Sequence, residues 1–153
     1  MTIPVEMPLD GDGFLRRECP HCEQEFKWHH GPTGEAPPDL APVDVYWCPR
    51  CGQSAPVDQW WTKEQLDYAE RFAAGPAFDM VVDQLRSTLK QPRGSFFKID
   101  VKPGERPGVP DPLVELDDMA VISPPCHPWE PIKVPEAAQP PYYCLLCGEP
   151  FAA

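Results

Sequence analysis

No stretch of this chain approaches the roughly 18 consecutive apolar residues that a membrane-spanning helix needs. The opening segment MTIPVEMPLDGDGF has neither a basic start nor an apolar run, so it does not read as a secretory signal. Basic charge is scarce: 13 Lys and Arg stand against 24 Asp and Glu, for a net charge of −11. The deficit lies at the two ends, with ten acids against four bases in residues 1–61 and nine against four in residues 96–153. Such a chain repels phosphate backbones on average, which disfavours nucleic acid as a partner. Missing too are a glycine-rich phosphate loop, a G-x-S-x-G elbow, and an H-x-E paired with P-C-x-x-C. These absences remove the commonest signatures of nucleotide hydrolysis, serine hydrolysis and zinc deamination.

What the chain has instead is proline and cysteine. Proline makes up 23 of 153 residues, about three times the usual share of roughly 5%. Proline removes a backbone donor and interrupts helices and central strands, so long looped stretches are expected. A chain of this kind buries little core and needs a staple. Seven cysteines supply it, six of them in three C-x-x-C pairs. The odd count and close pairing suit metal ligation better than a secreted disulfide framework, and thiols kept for metal suit a reducing cytoplasm.

Residues 14–28, FLRRECPHCEQEFKW, read as strand, tight turn, strand; residues 1–13 read as a loose lead-in and 29–44 as a loop. VYWCPRC (45–51) reads as a strand entering a second tight turn. Thr62, with Gln65 three residues on, forms a helix-start signature. Leu66, Ala69, Phe72 and Ala73 follow at helical spacing, and Phe78, Val81, Val82, Leu85 and Leu89 continue beyond Gly75-Pro76. One kinked helix and two separate helices both fit. Ser95–Val101 reads as a strand, 102–112 as a proline- and glycine-rich loop, and Met119–Ile122 as a strand delivering Cys126.

Cys19-Pro20-His21-Cys22 and Cys48-Pro49-Arg50-Cys51-Gly52 are two knuckles whose four thiolates make a closed tetrahedral set for one metal ion. Paired disulfides or buried free thiols are the plainer alternative. The residues that carry this pattern, Cys-Pro-x-Cys and the glycine after Cys51, resemble the zinc-ribbon and rubredoxin-like knuckle proteins. The resemblance covers about residues 14–55, with a partial second copy near 119–151. It implies small antiparallel β units gripping zinc, or iron of the rubredoxin kind, between two loops. Glu23 departs from the pattern, standing where a glycine follows the second cysteine of such a turn.

The chain also echoes itself. YWCPRCGQSA (46–55) matches YYCLLCGEPF (142–151), and CPHCEQEFKW (19–28) can be laid on CHPWEPIKV (126–134). On that alignment Cys19 meets Cys126, Glu23 meets Glu130, Lys27 meets Lys133 after a gap of one residue, and Trp129 takes the place of Cys22. Cys126, Cys144 and Cys147 then offer three thiolates, with His127 the nearest fourth ligand if the turn is sharply bent. A water or outside group in the fourth position would leave an open, catalytic kind of site, and a knuckle without metal is the third possibility.

Other residues have plainer readings. His29-His30 reads as loop histidines. Trp28, Trp47, Trp60 and Trp61 read as a miniature core, with one of the last two exposed. Arg16, Arg17, Lys27 and Arg50, interleaved with Glu18, Glu23 and Glu25, read as a solvated mixed-charge face, and Glu130 and Glu149 as solvated acids.

The expectation is therefore an α+β protein: a zinc-ribbon unit over 14–61, a helical connection over 62–91, and a second, degenerate unit over 95–153, the two able to form one body. Two zinc ions per chain are expected, with iron at the first site as the alternative. The expected role is that of a small cytoplasmic, non-enzymatic adaptor meeting another protein, with no membrane. A nucleic-acid-binding ribbon and a rubredoxin-like electron carrier are the alternatives.

Overall fold

A computed structural model describes residues 2–29, 33–89, 94, 96, 100 and 102–153. It is an α+β fold of one helix and short antiparallel sheets among the described residues. The chain falls into two compact units, Met7–Gln65 with Leu113–Ala153, and Met1–Glu6 with Leu66–Pro112.

Among the described residues the first unit holds eight short strands. β1 (Phe14–Glu18) and β2 (Glu25–His29) form one hairpin, and β5 (Met119–Ile122) and β6 (Ile132–Pro135) another. β2 pairs antiparallel with β6, so the four-stranded sheet runs β1-β2-β6-β5. Two smaller hairpins complete the unit: β3 (Val45–Trp47) with β4 (Ser54–Pro56), and β7 (Tyr142–Tyr143) with β8 (Pro150–Phe151). The order is a palindrome. The internal echo of the sequence is thus a structural repeat, β1–β4 answered by β5–β8, with a pseudo-two-fold axis between β2 and β6.

The core collects on one side of this sheet. Phe26, Trp60, Ile132 and Leu145 are fully or almost fully buried, with Leu15, Trp28, Val134 and Tyr142 around them. Phe26, Trp28 and Trp60 meet at ring separations of 5.7 to 6.1 Å, close to edge-on, the arrangement aromatic quadrupoles favour. Trp60 is fully buried while Trp61 is 37% exposed, so the tryptophans divide as the sequence suggested.

The opposite face holds charge, not solvent. Arg16, Lys27 and Lys133 fall in one row across β1, β2 and β6, and alternation along a strand puts them on the same face. Three cations side by side repel, and acids from two loops neutralise them. Lys133 Nζ donates to Asp10 Oδ2 at 2.8 Å, Asp12 Oδ2 at 2.7 Å and Asp117 Oδ1 at 3.0 Å. Lys27 Nζ reaches Glu115 at 2.9 Å, Asp10 at 3.2 Å and the carbonyl of Leu116. Arg16 pairs with Glu25 and Glu115, both at 2.8 Å. Lys27 and Lys133 are fully buried, which corrects the expectation of a solvated face. Residues 1–13 are likewise more than a loose lead-in, because Asp10 is buried and its Oδ1 accepts the N–H groups of Asp12 and Phe14, each at 3.0 Å.

α1 (Lys63–Thr88) opens as its sequence signature requires. Thr62 Oγ1 accepts the Gln65 N–H at 3.0 Å, and Gln65 Oε1 accepts the Thr62 N–H at 3.1 Å, a reciprocal capping box. Gln65 Nε2 also donates to the Arg16 carbonyl, anchoring the helix start to β1.

In the second unit the helix runs unbroken through Gly75 and Pro76, resolving the choice between one helix and two. Arg106 forms a fork with both carboxylate oxygens of Asp79, at 2.9 to 3.0 Å, and covers Gly75. Of the apolar pattern read for this helix, Val82 is buried, Ala69, Phe72, Ala73, Phe78 and Leu89 are half-buried, and Leu66, Val81 and Leu85 are exposed. The strand expected at Ser95–Val101 lies for the most part outside the described residues. Among those residues no helix is long and apolar enough to cross a membrane.

Candidate metal centres

Each cysteine pair sits at a hairpin end, where six residues join the two strands. In the knuckle between β3 and β4, the Cys48 N–H donates to Gln53 O at 2.8 Å and the Gly52 N–H to Cys48 O at 2.9 Å. The Arg50 N–H points at Cys48 Sγ, 3.3 Å away. The knuckle between β1 and β2 repeats this pattern: Cys19 N–H to Gln24 O at 3.1 Å, Glu23 N–H to Cys19 O at 2.9 Å, and His21 N–H to Cys19 Sγ at 3.3 Å. The knuckle between β7 and β8 repeats the backbone bonds, with Cys144 N–H to Glu149 O at 3.0 Å and Gly148 N–H to Cys144 O at 2.8 Å. Four residues after the first cysteine the chain turns left-handed, with φ of 74° at both Gly52 and Gly148. Glu23 occupies the same position with φ of 57°. The departure noted in the sequence is therefore a side chain held where glycine is favoured.

The two halves of the first centre close on each other. Cys19 Sγ lies 3.7 Å from Cys51 Sγ, and Cys22 Sγ 3.8 Å from Cys48 Sγ. Sulfurs at the ~2.3 Å zinc–sulfur distance define a tetrahedron with edges of about 3.8 Å. A disulfide would bring them to about 2.05 Å, and all seven cysteines are free. All four ligand atoms lie within 4.8 Å of one another, with Cys19 and Cys48 fully buried. Thiolate donors in this arrangement fit a tetrahedral, sulfur-seeking cation.

The electrostatics agree. Burial pushes the Cys22 thiol up to about 11 and Cys48 further still, and neighbouring sulfurs add to both. At Cys19 burial also opposes ionisation, but the N–H groups of Cys22 and His21, with neighbouring thiols, outweigh it and lower the pKa. Four sulfurs this close cannot all carry charge near neutrality without a cation among them, and together they could hold a metal ion.

The second centre gathers Cys126, His127, Cys144 and Cys147, again within 4.8 Å. Cys126 Sγ is 3.5 Å from Cys147 Sγ, and Cys144 Sγ is 3.4 Å from His127 Nδ1. The bend this requires is present: the His127 N–H donates to Pro124 O at 3.2 Å and the Glu130 N–H to His127 O at 3.0 Å. Trp129, at the position of the absent cysteine, packs edge-on against the His127 ring at 5.3 Å. Cys144 is buried, but Cys126 and Cys147 are exposed. Burial raises the Cys144 thiol to about 12 and Cys126 to a smaller degree. The residues present fit one metal ion held through three sulfurs and one imidazole nitrogen.

The two centres are tied across the pseudo-two-fold. The Trp47 N–H donates to Leu145 O at 2.9 Å, and the Tyr143 N–H to Pro49 O at 3.0 Å. A Cβ on Gly52 would lie 2.9 Å from the Tyr143 ring, and one on Gly148 would lie 2.6 Å from the Trp47 ring. Each knuckle glycine is roofed by an aromatic ring of the opposite repeat.

Several expectations are corrected around these centres. Arg17 is buried, its guanidinium 4.4 Å from the Trp28 ring and 4.2 Å from Trp61. Glu130 is 7% exposed, not a solvated acid, whereas Glu149 is exposed as expected. His29 lies at the end of β2, its ring edge-on to Phe14, and His30 falls outside the described residues. No family model, no curated protein and no solved structure matches this chain.

Proposed function

We propose that this chain is a zinc-stapled adaptor that meets another protein in the cytoplasm, both metal ions being structural. The first centre carries the reading. Four protein sulfurs, with edges of 3.7 and 3.8 Å, complete a tetrahedron and leave no position for water or substrate. At the second centre His127 Nδ1 supplies the fourth donor atom. Zinc suits this role because it imposes tetrahedral geometry without redox chemistry, and seven free thiols suit a reducing compartment. The reading is favoured over nucleic-acid binding because Arg16, Lys27 and Lys133, the cations of the central sheet, are already neutralised by acids.

Elemental analysis of the purified protein, read beside its visible spectrum, tests the metal. Two zinc ions per chain and no colour are expected; a red, iron-bearing sample would overturn the structural-zinc reading in favour of electron transfer. Chelation should remove the circular dichroism of the hairpins, because ligation free energy is folding free energy in such domains. Recovery of a reproducible protein partner from native lysate tests the adaptor role, and recovery of nucleic acid instead would sink it.

A further inference from the structure

A surface cleft of about 230 Å³ opens beside the second centre, walled by Leu40, Pro42, Val43 and Leu146. Tyr46, Glu130 and His29 line it too. Its volume is below the roughly 300 Å³ at which small-molecule and cofactor sites begin, so it suits one side chain rather than a nucleotide. Glu130 is nine-tenths buried here. Among the described residues no hydrogen-bond donor or ion-pair partner reaches its carboxyl, and its oxygens are not among the buried atoms left unpaired, so they open into the cleft. A carboxylate on an otherwise largely apolar wall offers the cleft one anionic group for a donor that arrives from outside. The repeat supplies an independent pointer. Glu23, its counterpart on the sequence echo, is paired on the surface with Lys63 at 3.0 Å. Glu130 has the acid of that pair and lacks the lysine.

We infer that this cleft accepts one basic side chain, lysine or arginine, from a partner polypeptide. The cationic head sits on Glu130, the apolar stem lies along Leu40, Pro42, Val43 and Leu146, and the Tyr46 ring flanks it. A protein of net charge −11 draws such a partner from a distance. That the occupant is a polypeptide rests on the adaptor reading; the choice of a cation with an apolar stem does not.

The test is a titration of the metal-loaded, isotope-labelled full chain, followed through its backbone amide resonances. The probes are the capped, neutral-ended amides of lysine and arginine, their uncharged counterparts norleucine and citrulline, a short lysine- and arginine-containing peptide, and a free diamine. Saturable shifts are expected at Leu40, Val43, Tyr46, Glu130 and Leu146 with the charged probes, at least tenfold weaker with the uncharged ones, and strongest with the peptide. Glu130→Gln should weaken binding tenfold or more at unchanged zinc content. Ala41→Trp, which fills the cleft from a loop that supplies no metal ligand, should abolish it even if Glu130→Gln disturbs the centre. Absence of shifts at these residues, or equal binding of citrulline, would overturn the inference; a diamine binding as tightly as the peptide would overturn the polypeptide occupant. A chain without zinc that still showed these shifts would sink the scaffold reading and leave this one standing.

Discussion

Lys27 and Lys133 face each other directly across β2 and β6, and both donate to the same oxygen of Asp10, at 3.2 and 2.8 Å. Two buried ammonium groups on adjacent strands would drive the central sheet apart. One carboxylate between them turns that repulsion into a clasp joining the two repeats. Removing one partner of a buried ionic cluster strands the others without compensation.

Asp10→Asn should therefore destabilise the fold by roughly 3–5 kcal/mol. The pH dependence follows from the direction of the shift. Burial works against the Asp10 carboxylate, but Lys133, Lys27 and two backbone N–H groups hold its pKa well below the usual range. A depressed carboxylate contributes its full stability above the unfolded value of ~3.9 and loses it as pH falls toward the folded value. Denaturant midpoints of the two proteins should differ by a constant amount from pH 6 to 8 and converge below about pH 4. A difference that persisted undiminished at pH 3 would show that the carboxylate charge is not the source.

The roofed glycines make a second test. Gly52→Ala and Gly148→Ala each place a methyl under an aromatic ring, at 2.9 and 2.6 Å, and each forces φ of 74° on a residue with a side chain. Each should cost about 2–4 kcal/mol, the strain and overpacking acting together, with Gly148→Ala the worse because the approach is closer. Thermal midpoints within a degree of the parent would refute the close packing of the two repeats.

Glu23 offers the opposite experiment. Its left-handed backbone costs roughly 1–2 kcal/mol. Glycine would relieve that, while adding about 0.5–1 kcal/mol of unfolded-chain entropy and losing a solvent-screened surface pair with Lys63. Glu23→Gly should raise stability by about 0.5 kcal/mol. Calorimetry checks it, and a clear loss would mean the Glu23–Lys63 pair matters more than its exposure suggests.

The centres should differ in lability. Cys126 and Cys147 are exposed, whereas Cys19 and Cys48 are buried. Under a limiting thiol-directed reagent, one zinc per chain should leave first, faster than the other on the order of tenfold. Cys126→Ser should remove that fast phase and leave one zinc; Cys48→Ser should unfold the first knuckles. Release of both ions in one phase would contradict the difference in exposure.

What could be read in advance was local. Cys19, Cys22, Cys48 and Cys51 announce themselves by spacing, and Thr62 with Gln65 by a three-residue offset, because each motif is satisfied within a few residues of itself. Cys126, His127, Cys144 and Cys147 were reachable through the echo. The Asp10 cluster was not. Asp10, Lys27, Glu115 and Lys133 are up to 123 residues apart, and a charged residue in isolation reads as solvated until the partners that bury it are known. Glu130 was misplaced for the same reason. The echo had aligned Lys27 with Lys133 and held the clue, since the strands it matched lie side by side.

The palindromic order β1-β2-β6-β5 has a last consequence. A symmetric homodimer makes such a sheet from two identical chains, and any change in one subunit is then imposed on the other. Here both halves belong to one polypeptide, so each can drift alone. One half has four sulfurs and tolerates a glutamate in a glycine's place; the other has three sulfurs and an imidazole, with a tryptophan where a thiol would be, and the open cleft is walled by residues of both. Covalent linkage lets the two halves of one frame differ in chemistry, one with two fully enclosed thiols and the other with two that face solvent.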